Sequence, residues 1–161
     1  MAPGRAASAR EIGVAVALVF LVAGLGGWAT QLGPWYAALK QPPWKPPDAW
    51  FGPAWTLIFG LTTWAALRVW VRSTGAARRR WAAALAANAL LNVLWSVLFF
   101  TLRRPDWALA EVGLLWLSIA LLVALAWRVD RPAAALLLPY LVWVAFAATL
   151  NAAVVRLNAP F

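Results

Sequence analysis

Five long apolar segments constrain this chain more than any other feature. They cover residues 12–29, 53–71, 81–102, 107–127 and 133–157. Each is close to the roughly 20 residues that a helix needs to cross a bilayer. Hydrophobic residues make up 65% of the chain, against about 45–50% in a soluble globular protein. The sequence therefore predicts an all-α integral membrane bundle of five transmembrane helices, forming one domain over residues 1–161.

Missing side chains exclude much conventional chemistry. The chain has no cysteine and no histidine, and its only methionine is Met1. Zinc sites, iron–sulfur clusters and Ser-His-Asp triads need residues that are absent here. We therefore expect no metal site and no required cofactor.

The positive charges indicate how the bundle is oriented in the membrane. Nine of them lie on one side of the bundle and five on the other. The nine, in or beside the N-terminal, second and fourth connecting regions, are Arg5, Arg10, Arg68, Arg72, Arg78, Arg79, Arg80, Arg128 and Arg131. The five on the opposite side are Lys40, Lys45, Arg103, Arg104 and Arg156. Because cytoplasmic loops carry the excess of Lys and Arg, we expect a cytoplasmic N-terminus. Helical spans, with no sign of alternating strands, favour the inner over the outer membrane of a bacterial cell. The net charge of +9 then reflects topology, and we expect no nucleic-acid partner.

The first connection is unusually rigid and aromatic. Residues 35–56 hold four tryptophans and five prolines. Proline fixes the backbone, and tryptophan is enriched where a membrane meets water. One interpretation is an interfacial aromatic belt. The alternative is a structured first loop that caps the mouth of the bundle, with Trp55 facing inward at the top of the second helix.

Polar side chains inside the spans indicate which helix faces point inward. Asn88, Asn92 and Ser96 share one face of the third helix. They either hydrogen-bond neighbouring helices or donate to a carbonyl or carboxylate of a ligand. Glu111, one turn inside the fourth helix, is interpreted as structural because a helix N-terminus favours its charge.

The fifth helix offers a slot for a ligand. Trp143, Ala147 and Asn151 share one of its faces, and we expect Trp95 and Trp107 to face the same space. Walls of this kind favour an apolar, flat ligand, because stacking is the interaction that indole rings offer.

Three sequence blocks resemble the TspO/MBR family of tryptophan-rich sensory proteins, which includes the mitochondrial translocator protein. The first contains Trp35-Tyr36, Leu39-Lys40, Pro43-Trp44, Pro46-Pro47 and Phe51-Gly52-Pro53-Ala54-Trp55-Thr56; the second runs from Asn92 through Trp95-Ser96 to Phe99-Phe100; the third runs from Pro139-Tyr140 through Trp143, Phe146-Ala147 and Thr149-Leu150 to Asn151. The resemblance extends over roughly residues 12–158.

This resemblance implies a five-helix membrane protein that binds porphyrins such as protoporphyrin IX, and isoquinoline carboxamides, and that forms a homodimer in lipid. Together with the loop and helix faces described above, it gives a predicted ligand-binding set of Trp44, Trp55, Asn92, Trp95, Trp107, Trp143, Ala147 and Leu150. Within that set, Asn92 would bond a ligand carbonyl. Trp55 and Trp143 would be the catalytic pair if the protein degrades porphyrin. The fifth helix lacks the tyrosine of the animal cholesterol motif, so sterol binding is not expected.

Three functions remain open at this stage. The first is a porphyrin-binding receptor or sensor in tetrapyrrole and stress regulation. The second is tryptophan-mediated, light-dependent degradation of porphyrin. The third is transport of porphyrin or another apolar molecule, although nothing in the sequence resembles the inverted repeat of many transporters. Dimerisation has its own indication, since Ala82, Ala83, Ala86 and Ala87 form small-xxx-small pairs.

Overall fold

The computed structural model describes residues 5–161, and this part of the chain contains helices but no strand. The helices are α1 (Ala9–Ala29), α2 (Pro34–Ala38), α3 (Phe51–Arg72), α4 (Gly75–Ser96), α5 (Pro105–Trp127) and α6 (Arg131–Asn158). A 3-10 turn, Asp48–Trp50, leads into α3, and a π-helical turn, Val97–Thr101, extends α4. All but α2 are long and apolar enough to cross a membrane. The five predicted spans are therefore, in order, α1, α3, α4, α5 and α6. The predicted all-α class with five spans is confirmed.

The helices begin earlier than the apolar segments do. Helix α4 begins at Gly75 rather than at residue 81, so the arginine run 78–80 is helical and not part of a loop. Arginine is a good helix former, and hydropathy alone does not detect that. Pro105 stands at the start of α5, where the N–H that proline lacks would have no intrahelical partner.

The five long helices close into a ring. Helix α1 packs on α3 and α4, α3 packs on α6, α6 on α5, and α5 on α4. The short connections place the first loop, residues 30–50, beside the α4–α5 turn and the end of α6. We call this the loop end. The opposite end carries the α3–α4 and α5–α6 connections, and we call it the arginine end.

The arginine end is solidly packed. Trp81 is buried there among Ala65, Val69, Leu122 and Leu137, and its indole N–H donates to the Ala66 carbonyl at 3.3 Å. The buried carboxylate at this end is paired as well, since the Arg68 guanidinium donates to both oxygens of Asp130, at 2.8 and 3.2 Å. These contacts fix α3, α4, α5 and α6 relative to one another.

Helix α1 is the least embedded of the five. Ala29 is its only buried residue, whereas Phe20 and Trp28 are 71% and 76% exposed. Large apolar side chains exposed on a membrane-spanning helix are suited to contact with lipid. The four alanines of the small-xxx-small pairs are likewise exposed, on the outer face of α4. Dimerisation through them stays a prediction.

Candidate ligand-binding site

A cavity of about 440 Å³ lies inside the loop end of the bundle. All five long helices contribute to its wall, and Tyr36, Gln41 and Asp48 of the first loop border it. Its volume falls within the range of small-molecule sites, roughly 300–1,000 Å³. The cavity is therefore the candidate ligand-binding site of the bundle.

The first loop covers this cavity and is held by aromatic contacts. The Trp35 ring meets Phe99 edge-on at 6.2 Å between centroids, and the Tyr36 ring lies 5.6 Å from Phe100. On the other side of the loop, Trp44 meets Phe146 at 6.0 Å. Such pairs contribute roughly 0.5–1.5 kcal/mol each beyond the area they bury. The loop is structured, as the cap interpretation predicted.

Polar contacts hold the loop in the same position. Asp48 accepts hydrogen bonds from the Tyr36 hydroxyl at 3.0 Å and from Lys45 Nζ at 2.6 Å. Burial, followed by the bond to Asp48, raises the pKa of the Tyr36 phenol above its usual range. The hydroxyl therefore stays protonated, and stays a donor, at neutral pH.

A side-chain clamp joins the loop to the end of α6. The Asn158 amide accepts from the backbone N–H of Lys40 at 2.8 Å and donates to the Lys40 carbonyl at 2.9 Å. One side chain thus satisfies both backbone groups of a single loop residue. Without it, these two groups would need water molecules as hydrogen-bond partners.

Three tryptophans form the aromatic part of the cavity wall. Trp55, Trp95 and Trp143 approach it from α3, α4 and α6. Each packs against another aromatic ring: Trp55 meets Tyr140 edge-on at 6.0 Å, and Trp95 stacks on Phe99 at 5.2 Å. Trp143 in turn meets Phe51 at 5.6 Å. Rings packed in this way present a fixed surface to a ligand.

The buried amides mainly join helices, as the structural interpretation expected. Asn92 Nδ2 donates to the Tyr140 hydroxyl at 2.9 Å, and Asn88 Nδ2 donates to Ser118 Oγ at 2.9 Å. Asn151 accepts from the Trp95 indole at 3.2 Å and donates to the Pro105 carbonyl at 2.8 Å. Asn92 and Asn151 also border the cavity, so this network orients polar groups along its wall.

Six of the eight residues expected to bind ligand lie together at the cavity. They are Trp55, Asn92, Trp95, Trp143, Ala147 and Leu150. Their role in binding remains a prediction, but the structure brings them into one place.

Trp44 and Trp107 do not line the cavity. Trp107 is 51% exposed, and the Arg104 guanidinium lies 4.1 Å from its ring centroid. On α5 the inward stripe is formed by Ala108 and Val112, so Trp107 points away from the interior. Trp44 lies on the outer side of the loop and is 50% exposed. The expectation that Trp95 and Trp107 face the same space is wrong for Trp107.

Sequence reasoning missed other parts of the site. Val22, Ala23, Gly26 and Gly27 of α1 border the cavity, and their small size was the available signal. Both carboxylate oxygens of Glu111 are buried without a hydrogen-bond partner, which differs from the stabilising terminal position expected of it.

No group of three or more His, Cys, Asp or Glu side chains within residues 5–161 is arranged to hold a metal ion. The site is suited to binding an apolar molecule through aromatic contacts.

Comparison with known proteins agrees with this architecture. A sequence profile of the TspO/MBR family matches residues 15–157. The "Tryptophan-rich protein TspO" of Chlorobaculum tepidum is 37% identical over 127 residues, which cover 77% of this chain and 79% of that protein. The "Tryptophan-rich sensory protein" of Cereibacter sphaeroides is 38% identical over 125 residues, 77% of each chain. The "Translocator protein" of Ovis aries is 38% identical over 120 residues, 73% of this chain and 70% of that protein.

The matched region extends from the first half of α1 almost to the end of α6, so it includes every helix that contributes to the cavity. The five-span bundle is thus an integral membrane protein, and the chain belongs to the TspO/MBR family.

Proposed function

We propose that this protein is a membrane receptor or sensor that binds a porphyrin, such as protoporphyrin IX, in the cavity under the first loop. The observation that carries the proposal is the convergence of Trp55, Trp95 and Trp143 on one cavity. A relative is named a tryptophan-rich sensory protein, which supports a sensory role. We propose that this role belongs to tetrapyrrole and stress regulation.

The physical basis of binding is apolar burial with stacking. Indole rings offer large apolar surfaces and pair with other π-systems at centroid separations of about 4.5–7 Å. A planar macrocycle would exchange water contacts for these rings. Aliphatic positions such as Ala147 and Leu150 complete the wall and leave room beside Trp143.

The test is a titration in the dark. Detergent-purified protein is titrated with protoporphyrin IX while the quenching of tryptophan fluorescence is followed. We expect saturable quenching in the wild type, and at least about tenfold weaker binding in Trp143→Ala, since losing a buried aromatic wall costs more than about 1.4 kcal/mol.

The matched control is Trp64→Ala. Trp64 lies on α3, the helix that carries Trp55, but it is 56% exposed and does not border the cavity. Its loss should leave the dissociation constant unchanged. Equal weakening in both variants would contradict the proposal, because it would place the porphyrin in the detergent or on the outer surface.

A second candidate function is light-dependent porphyrin degradation. It is favoured by one observation, that Trp55 and Trp143 both face the cavity. In this function the excited porphyrin is oxidised and molecular oxygen is reduced, with an indole ring relaying the electron. Illumination of the bound complex in air would bleach the porphyrin absorbance, and Trp143→Phe, which keeps a ring to bind on, would slow the bleaching. A complex that does not bleach under light would contradict this second function and would leave the receptor as the remaining proposal.

The proposal includes a location and a dimer. We place the protein in a bacterial inner membrane with its N-terminus in the cytoplasm and the loop end outside, and we expect a homodimer formed through the exposed alanines of α4. The chain contains no cysteine, so single cysteines introduced at Thr74 and at Ala49, which are both exposed, report topology directly. Labelling by an impermeant maleimide on intact cells should occur at position 49 only.

A further inference from the structure

One cavity-bordering side chain has an unused hydrogen-bonding capacity. Gln41 lies in the first loop and borders the cavity, and its amide nitrogen is buried with no hydrogen-bond partner. An unsatisfied buried donor costs roughly 1–3 kcal/mol, so a group of this kind calls for a partner. A ligand that accepts a hydrogen bond would remove this cost.

The other polar side chains of the first loop that border the cavity are already engaged, and they are Thr30, Tyr36 and Asp48. The Tyr36 hydroxyl and Lys45 Nζ both donate to Asp48, and the Lys45 charge offsets that of Asp48 at 2.6 Å. Deeper in the cavity, both ends of the Asn151 amide are occupied by Trp95 and Pro105. Gln41 is therefore the amide at this end of the cavity that is left for a ligand.

The position of Gln41 is fixed by its neighbour. The Asn158 clamp holds both backbone groups of Lys40, the preceding residue. On the other side, Pro42 and Pro43 restrict the backbone. The side chain keeps freedom at its terminal torsion, which is broad for an amide, so nitrogen or oxygen can turn to the cavity. Because the backbone is already held, little backbone entropy is lost when the side chain binds a ligand.

We propose that Gln41 hydrogen-bonds an acceptor oxygen, carbonyl or carboxylate, carried at one end of the flat apolar ligand. This rests on the proposed porphyrin-binding function and deepens it by naming the ligand class. The macrocycle lies among the tryptophans, and its oxygen-bearing edge points to the loop. Gln41 is then a specificity-determining residue, and Asn158 is a positioning residue that acts through it.

The test compares two porphyrins on matched variants. Protoporphyrin IX carries two carboxylates, whereas octaethylporphyrin has no oxygen. Gln41→Met keeps the length of the side chain and removes the amide. Lys40→Met makes the adjacent exposed residue apolar but leaves its backbone clamp available. Dissociation constants are measured in the dark by tryptophan quenching.

We expect Gln41→Met to weaken protoporphyrin IX binding about tenfold, in line with the loss of a hydrogen bond to a charged acceptor, and to leave octaethylporphyrin binding unchanged. Lys40→Met should change neither. Asn158→Ala should weaken protoporphyrin IX selectively, and should add nothing further in the Gln41→Met background, because coupled residues are not additive.

Two outcomes separate the possible failures. If both porphyrins bind the wild type and Gln41→Met leaves the protoporphyrin IX affinity unchanged, or weakens both porphyrins equally, the Gln41 assignment is overturned while the proposed function stands. If neither porphyrin binds the wild type saturably, the proposed function fails and the assignment fails with it.

Discussion

The two ends of the bundle are built from the same kinds of residue but packed to opposite effect. At the arginine end, Trp81 is 1% exposed among aliphatic side chains. At the loop end, Trp55, Trp95 and Trp143 surround a cavity of about 440 Å³. Tryptophan fills space in the first case and encloses space in the second. The difference indicates that close packing at the arginine end stabilises the fold, while the loop end keeps the open cavity in which we propose that the ligand binds.

The largest predicted effect breaks the packed end. Trp81→Ala removes a buried indole and its bond to the Ala66 carbonyl, and should lower the free energy of unfolding by about 3–5 kcal/mol. Chemical unfolding in detergent, followed by circular dichroism, measures it.

The control for this prediction is Trp127→Ala. Trp127 ends α5 at the same end of the bundle but is 55% exposed. Its loss should change stability by about 0.5 kcal/mol or less. A Trp81 variant as stable as this control would show that the arginine end does not carry the fold.

A pair of overpacking variants sharpens the comparison. Ala65 is fully buried at the arginine end, so Ala65→Phe has no space and should cost about 1–3 kcal/mol of stability. Ala147→Phe places the same ring in the cavity wall and should cost less than about 1 kcal/mol. The two are compared by thermal unfolding under identical conditions. Equal losses would argue that the loop end is as closely packed as the arginine end.

The smallest predicted effect concerns the cover of the cavity at alkaline pH. The folded-state pKa of Tyr36 is raised, so between about pH 10, where a free phenol ionises, and that higher value the native state binds more protons than the unfolded state. Stability therefore falls as pH rises through this window. Tyr36→Phe should remove part of the fall, seen by unfolding at pH 9 and pH 11. An unchanged pH dependence would show that the phenol is not held protonated by the loop.

The fold was largely predictable, because membrane-spanning length and hydropathy are properties of the sequence itself. The positions of Trp55, Asn92 and Trp143 were also predictable, since helical spacing and the family motifs agreed on them. The position of Trp107 was not predictable. The direction of a side chain near the start of a helix depends on which residues of that helix face inward, and only the structure shows that Ala108 and Val112 do so.

The contributions of α1 and of the loop were harder to predict for different reasons. Helix α1 is apolar all round, so the small size of Ala23, Gly26 and Gly27 is a weak sign of the face that turns to the cavity, and Gly24 is equally small without bordering it. Gln41 lies in a loop, where no period applies, and its place at the cavity depends on the Asn158 clamp from the far end of the chain. Long-range contacts of this kind leave no local pattern.

The central claim, that the hollow loop end is a ligand site, is tested most directly by titrating protoporphyrin IX in the dark against the wild type and Ala147→Phe. The account predicts saturable tryptophan quenching with one porphyrin per chain in the wild type, and its loss in a variant that remains folded. Saturable quenching of the same affinity in both proteins would contradict it, because a ring placed in the cavity wall would then leave the binding site untouched.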